Sequence, residues 1–236
     1  MNRLSIAAAL ICLPLTVHAA DGAGDPWSGE FDFGLSAKTG NTESTNIQGK
    51  FRLNYQKDLW HHRLRLDALR ETESGDKTAQ RVVGQFQSNY DLGDRSYVFG
   101  VARVERDEFS GYDYQASLVG GYGYRAWVAD RGHLDLEAGP GFRRAKQDGL
   151  KAESEVVGRF RGDFGYRLGE RSDFAQELAV IAGQENTETE SITALTAGIS
   201  DALALRLSLT VSHNTDVPEG TKKTDTFTTA SVVYKF

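Results

Sequence analysis

Apolar and polar residues alternate with a period of two along most of the chain from residue 27 onward, and helical periodicity is weak. Because successive side chains of a β-strand point to opposite faces, this alternation predicts strands with one apolar and one polar face. We predict twelve strands, at residues 27–38, 45–57, 62–72, 78–91, 96–108, 113–125, 133–144, 154–167, 173–183, 189–200, 203–214 and 223–236.

The phase of the alternation assigns a face to most side chains. In the second predicted strand Phe51 falls on the apolar face and Arg52 on the polar face. The eighth predicted strand separates Phe160 from Arg161 in the same way. The fifth and tenth predicted strands have an ambiguous phase, so their faces are not assigned.

The length and number of these strands favour a membrane barrel. Strands of soluble proteins most often have about 5–6 residues, whereas a tilted strand needs about 9–11 residues to cross a bilayer. An even strand number brings both chain ends to one side, and closure leaves no strand edge unsatisfied in lipid. We therefore predict an all-β fold: a closed antiparallel up-and-down transmembrane β-barrel of twelve strands, with apolar side chains outward. The alternative is a soluble periplasmic barrel that binds an apolar ligand.

The first 20 residues predict export from the cytoplasm. Arg3 precedes an apolar run over residues 4–17, and small residues follow at Ala19 and Ala20. This is the pattern of a cleaved secretory signal peptide. We assign residues 1–20 to the signal and residues 21–236 to the barrel, which we expect in the outer membrane of the Gram-negative envelope, with its lipids and lipopolysaccharide as partners.

Composition excludes several other classes. The single cysteine of the sequence, Cys12, lies in the signal, so the mature chain has no disulfide and no thiolate metal site. No run approaches the roughly 18 apolar residues of a transmembrane helix. The net charge of −6, without a basic tract to offset it, argues against nucleic acid as a partner.

The polar faces carry more basic than acidic residues. The predicted lumen-lining side chains are Lys50, Arg52, Arg63, Arg65, Asp67, Arg81, Asp135, Glu137, Arg143, Arg159, Arg161, Asp163, Glu177 and Arg206. Either these charges pair with one another and fill a small lumen, or the excess of cations lines a narrow water-filled path that prefers anions. The sequence leaves both interpretations open.

Aromatic residues recur near the strand ends where the connecting turns are short. Such residues predict a girdle at one membrane interface. The predicted members are Trp27, Tyr55, Tyr90, Tyr97, Tyr124 and Tyr166.

The chain ends on a terminal aromatic residue. Val232, Tyr234 and Phe236 share one face of the last predicted strand. This ending resembles the insertion signal of outer-membrane barrel proteins, which implies folding by the barrel-assembly machinery.

The whole mature chain also resembles one family. The opening pattern G-x-x-x-x-x-G-N-T/S, here Gly34 to Thr42, is similar to the start of the salt-induced outer-membrane family (YdiY-type) of unknown function. Further similar segments are Lys57–Trp60, Tyr122–Arg125 and Gly139–Gly141. The resemblance implies a location and a possible role in salt or osmotic stress, and it carries no catalytic residues.

No enzyme site is predicted. The one close pair of the kind that lipid hydrolases use is Ser212 and His213, which alternation places on opposite faces. We therefore predict no catalytic residue, metal or cofactor, and keep a lipid-modifying hydrolase as the alternative to a structural or narrow-channel, porin-like role.

The acidic run Glu185–Glu190 predicts an exposed loop, with divalent-cation binding as the less favoured interpretation. Pro140 predicts a bulge or a strand end, because it has no N–H for the ladder.

Overall fold

The computed structural model describes residues 25–38, 44–73, 76–108, 112–147, 149–217 and 222–236. Among these residues no helix is long and apolar enough to cross a membrane, a result that does not concern strands. Their strands are β1 (Trp27–Lys38), β2 (Ser44–Lys57), β3 (Trp60–Glu73), β4 (Asp76–Asp91), β5 (Ser96–Asp107), β6 (Tyr112–Ala129), β7 (Gly132–Gln147), β8 (Glu153–Arg167), β9 (Ser172–Ala182), β10 (Thr187–Gly198), β11 (Leu203–Asn214) and β12 (Thr224–Lys235). The predicted signal peptide, with Cys12, and residues 39–42 of the family pattern lie outside the described residues.

Each strand pairs antiparallel with its neighbours in sequence, and β1 pairs with β12 to close the barrel. Phe33 lies opposite Val232 at this closure, and the Phe236 N–H donates to the Gly29 carbonyl at 3.0 Å. The predicted closed twelve-strand antiparallel barrel is therefore confirmed. We call the end where β1 begins and β12 ends the turn end, and the opposite end the loop end.

The two faces of the barrel carry the predicted chemistry. Phe160 on the outer face is 44% exposed, whereas its neighbour Arg161 is 3% exposed. Leu207 is likewise 54% exposed on the outside. Apolar side chains therefore point away from the barrel axis and charged side chains point toward it, the reverse of a soluble barrel with an apolar interior.

Aromatic side chains form contacts on the outer surface at the turn end. The ring centroids of Trp27 and Tyr55 lie 4.6 Å apart, and those of Trp60 and Tyr90 lie 4.9 Å apart. Such amphipathic rings are typical of the interfacial belts of membrane barrels.

The prediction for Tyr97 was wrong. Tyr97 is 2% exposed inside the barrel, where its hydroxyl donates to Glu137 at 3.1 Å. Its ring lies over Gly123 of β6, where any side chain would collide with it. Tyr97 packs there with other buried apolar residues of the inner wall, namely Phe99, Val101, Val119, Val157 and Ile181. The inner wall thus contains an apolar patch that alternation alone did not reveal.

The prediction for Pro140 was also wrong. Strand β7 continues through Pro140, which lies opposite Gly158 of β8. On the other side, the pairing of β7 with β6 is interrupted between Val119–Gly141 and Tyr122–Ala138 and resumes in the same register. The missing N–H is therefore accommodated within a continuous strand, without a bulge at this position.

Candidate functional site

The interior contains two larger cavities separated by a narrow zone. The turn-end vestibule has a volume of about 510 Å³, and its lining includes Arg52, Arg63 and Arg206. The loop-end vestibule has a volume of about 630 Å³, and its lining includes Arg143 and Glu155. Between them lies a cavity of only about 60 Å³. Its lining also includes Arg159, and we call its other Arg and Glu residues the central belt: Arg65, Arg81, Arg103, Glu105, Glu177, Glu188 and Glu190.

Glu190 connects opposite walls of the barrel. Strands β10 and β4 are six positions apart in either direction around the twelve-strand ring. Arg81 Nη2 on β4 nevertheless donates to Glu190 Oε2 on β10 at 2.8 Å, and the Arg65 guanidinium lies 3.4 Å from Glu190 Oε1. These ion pairs therefore cross the lumen rather than follow its wall.

A second bridge crosses between β3 and β9, which are also six positions apart. Arg65 Nη1 on β3 lies 3.8 Å from Glu177 Oε1 on β9. Glu177 also accepts a hydrogen bond from Arg161 at 2.7 Å. Arg65 in turn donates to Asp67 at 2.7 Å. The two bridges share Arg65, so the belt is one connected network.

Glu105 balances two arginines on the β4–β5 side of the belt. Arg81 Nε donates to Glu105 Oε1 at 2.6 Å, and Arg103 forms an ion pair with the other carboxylate oxygen. Buried charges of this kind are tolerated because each has a partner, and removal of one partner costs about 3–5 kcal/mol.

Two further buried clusters lie on either side of the belt. Toward the loop end, Arg143 donates to Glu188 at 2.7 Å and to Glu155 at 3.0 Å. On the turn-end side, Glu137 accepts from Arg159 at 2.8 Å and from Gln87 at 2.7 Å. Charged groups therefore occupy the inner wall over much of its height.

A third cluster lies near the closure of the barrel. Arg206 of β11 donates to Glu30 at 2.9 Å and to Asp32 at 3.0 Å, both on β1. Arg52 of β2 also forms an ion pair with Glu30. These contacts tie together the strands on both sides of the β1–β12 seam.

The structure places twelve of the fourteen predicted lumen-lining residues against an interior cavity. They are Lys50, Arg52, Arg63, Arg65, Asp67, Arg81, Arg143, Arg159, Arg161, Asp163, Glu177 and Arg206. Glu137 is buried behind them, and Asp135 shares the inner face of β7 with it. Arg63 differs from the others because its side chain is 45% exposed in the turn-end vestibule.

Sequence reasoning missed the belt residues of β5 and β10, whose phase was ambiguous. Glu188 and Glu190 were predicted to lie in an exposed acidic loop, which was wrong. Both belong to β10, because the ladder with β9 begins at Thr187 opposite Ala182. Both side chains line the central cavity. Together with Glu105, they supply carboxylates that pair with the lumen arginines, which outnumbered the acidic side chains in the predicted lining. Pairing therefore accounts for much of that excess.

Ser212 and His213 do not form a nucleophile–base pair. Ser212 Oγ is buried and has no hydrogen-bond partner among the described residues, whereas His213 Nδ1 lies 2.8 Å from Thr224 Oγ1 at an exposed site. Among the described residues, no group of three or more His, Cys, Asp or Glu side chains is placed to hold a metal ion. The charged lumen is therefore the candidate functional site.

A model of the family described as "Protein of unknown function, DUF481" matches residues 31–236. The chain belongs to this family. A curated relative, the "Uncharacterized protein YdiY" of Escherichia coli (strain K12), is 26% identical over 210 residues, which are 89% of this chain and 83% of the relative. The predicted family resemblance is confirmed.

Solved structures of outer-membrane barrels share the fold of this DUF481 chain. The NanC porin has a TM-score of 0.53 at 11% identity, over 88% of this chain and 98% of the porin. The COG4313 outer membrane channel of Pseudomonas putida F1 has a TM-score of 0.52 at 13% identity, over 89% of this chain and 95% of the channel. At these identities the similarity concerns the fold alone.

Proposed function

We propose that this DUF481 protein is an outer-membrane barrel whose lumen forms a narrow passage for water, ions and small hydrophilic solutes. The observation that carries the proposal is the central belt, which separates two vestibules of about 510 and 630 Å³. A cavity of about 60 Å³ holds a few water molecules at most, since one water occupies about 30 Å³ in the liquid. Passage of larger solutes requires the bridges from Glu190 to move.

An outer-membrane location is part of this proposal. Its support is the apolar outer surface, the aromatic pairs at the turn end and the fold shared with outer-membrane channels. Outer-membrane lipids and lipopolysaccharide would then contact the outer surface. The proposal also includes a role in salt or osmotic stress, which the family resemblance implies. A strain that lacks the gene should therefore grow more slowly than its parent in high salt.

No catalytic step is included. The hydrolase alternative lacks support because Ser212 and His213 have separate environments on opposite faces of β11. A passage needs only polar walls and water, and the charged inner wall supplies the walls.

Planar-bilayer recording of the purified protein tests the proposal. We expect a small conductance, well below that of a general porin, whose roughly 16 to 18 strands leave a wide channel. The folded barrel should also migrate differently from the heated protein on a gel and should fractionate with outer membranes. A barrel that is folded by the gel assay but silent in the bilayer would contradict the passage.

Removal of the last side chain, in Phe236→Ala, should lower the amount of folded protein in the outer membrane at least severalfold. The reason is the proposed recognition of the terminal aromatic by the barrel-assembly machinery. Phe236 also stacks on Phe51 and Tyr234, so barrel stability must be measured separately by refolding into detergent. Phe142→Ala, which truncates a phenylalanine 65% exposed on the outside, is the control. If Phe236→Ala reduced refolding in detergent as strongly as insertion in cells, recognition by the machinery would not explain the effect.

A further inference from the structure

Lys50 is a buried cation that makes no side-chain hydrogen bond within the described part of the chain. It lies on the inner face of β2, opposite Asp32 of β1 and Asp67 of β3, and it is 5% exposed. Arginines bind one oxygen of each neighbouring carboxylate: Arg206 donates to Asp32 Oδ2 at 3.0 Å and Arg65 donates to Asp67 Oδ2 at 2.7 Å, while Asp67 Oδ1 has no hydrogen-bond partner among the described residues. No hydrogen bond or ion pair joins the Lys50 ammonium to a described residue. A buried charge without a partner is costly unless water or a ligand compensates it.

Lys50 lines two cavities of different character. One is a small space of about 30 Å³, whose lining includes Asp67 and Phe227. The other is the turn-end vestibule of about 510 Å³. That volume falls within the range of about 300–1,000 Å³ that is typical of small-molecule sites. The ammonium therefore has space for a ligand on the vestibule side.

The turn-end vestibule has an excess of positive charge. Its described lining contains seven Lys and Arg side chains and one histidine, His133, against three acidic side chains, Glu30, Asp163 and Glu177. The basic residues are Lys50, Arg52, Arg63, Arg65, Arg161, Arg206 and Lys235. Register places Arg52 directly opposite Arg65, and like charges on facing positions repel. Glu30 and Asp67 offset part of this repulsion, because they pair with Arg52 and Arg65, and an anion between the strands would offset more of it.

The loop-end vestibule has the opposite balance. Its described lining contains the basic residues Arg143 and Lys151 and the acidic residues Glu153, Glu155, Glu185 and Asp216. The excess of positive charge is therefore confined to the turn-end vestibule, and only this vestibule is expected to prefer an anion.

We propose that the turn-end vestibule binds the oxyanion group, a carboxylate or a phosphate, of a small hydrophilic solute. Lys50 is its buried contact, and Arg52 and Arg63 lie beside it on β2 and β3. Charged hydrogen bonds of this kind are short and stronger than neutral ones. The inference deepens the proposed function by naming the solute chemistry, and it rests on that function for the solute's route through the barrel.

Calorimetric titration of the purified barrel in detergent at low salt tests the site. The probes are glucuronate and inorganic phosphate, with uncharged glucose as the control ligand. We expect glucuronate, phosphate or both to bind, and glucose not to bind. Binding of only one anion identifies the oxyanion that the site prefers, and failure of both to bind overturns the proposal.

Two lysine variants distinguish a specific anion site at Lys50 from nonspecific attraction of anions by the positively charged vestibule. Lys50→Met should weaken anion binding by about tenfold or more, the size expected from loss of one charged hydrogen bond. Lys235→Met removes an exposed lysine from the same vestibule and should weaken binding by less than about twofold. Lys50→Gln repeats the loss of charge with a polar side chain, should the methionine variant not fold. An equal loss in the Lys50 and Lys235 variants would overturn the proposal.

The same proteins distinguish this inference from the proposed function. Conductance without binding that depends on Lys50 leaves the passage standing and overturns the anion site. Binding that depends on Lys50 in a barrel without conductance supports the site and overturns the passage.

Discussion

Replacement of Glu190 by glutamine should raise the single-channel conductance severalfold and shift the ion preference toward anions. Glu190 is the carboxylate of the central belt that meets arginines from three strands, with Arg81 at 2.8 Å, Arg65 at 3.4 Å and Arg103 at 3.9 Å. Glutamine has nearly the same shape but no charge. Three guanidinium groups would then repel one another across the lumen, and the constriction would become both wider and more positive.

The same substitution should lower the free energy of unfolding by about 3–5 kcal/mol, because it leaves buried arginines without one of their partners. Urea titration of the barrel in detergent measures this change. The variant should still fold, since every backbone ladder is unaffected.

Glu108→Gln is the matched control for Glu190→Gln. Glu108 forms an ion pair with Lys77 at the loop end, where both side chains are at least a third exposed. An exposed pair contributes about 0–1 kcal/mol, so conductance, ion preference and stability should all stay close to the wild type. Equal conductance in the wild type and in Glu190→Gln would show that the bridges from β10 do not limit passage.

The fold was predictable because its main determinant is local. Alternation in β2, β8 and β11 places a large apolar residue on one face and an arginine on the other, as with Phe160 and Arg161. The length of the strands and their even number then indicate a closed barrel. The structure agrees because a strand has only two faces, and Arg52, Arg161 and Arg206 of these strands lie on the inner one.

Strand β5 shows where this reasoning fails. Tyr97, Phe99 and Val101 point inward although they are apolar, while Val98 and Val104 point outward. Both faces are therefore apolar over much of the strand, and no phase can be extracted from it. The inward position of Tyr97 depends on Gly123 of the neighbouring strand, which leaves room for the ring. Such a fit between two strands is not visible in either strand alone.

The central belt was unpredictable for a different reason. Arg81 and Glu190 are 109 residues apart in sequence and lie on opposite walls of the barrel. Which side chains meet across a lumen depends on strand tilt and stagger, and these are properties of the closed barrel as a whole. The sequence could indicate that β3, β4 and β8 contribute cations, but it could not indicate which carboxylates meet them.

Replacement of Gly139 by alanine should lower the free energy of unfolding of the barrel by about 3 kcal/mol. A Cβ atom at Gly139 would lie 2.6 Å from the Cα of Gly121 and would also collide with the carbonyl of Gly120. A Cβ at Gly121 would in turn lie 2.7 Å from the Cα of Gly139. Strands β6 and β7 approach so closely here that the backbone itself must move to accept a side chain.

Gly158→Ala is the matched control, because Gly158 lies on β8 opposite Pro140 and a Cβ there would meet nothing within 4 Å. Both changes add one methyl group to a strand glycine, so intrinsic strand propensity affects them alike. Urea unfolding in detergent should separate them clearly, with the Gly158 variant at or above wild-type stability. Similar stabilities for the two variants would mean that β6 and β7 separate at little cost. In that case β6 and β7 would be only weakly held together around Pro140, where their pairing is interrupted.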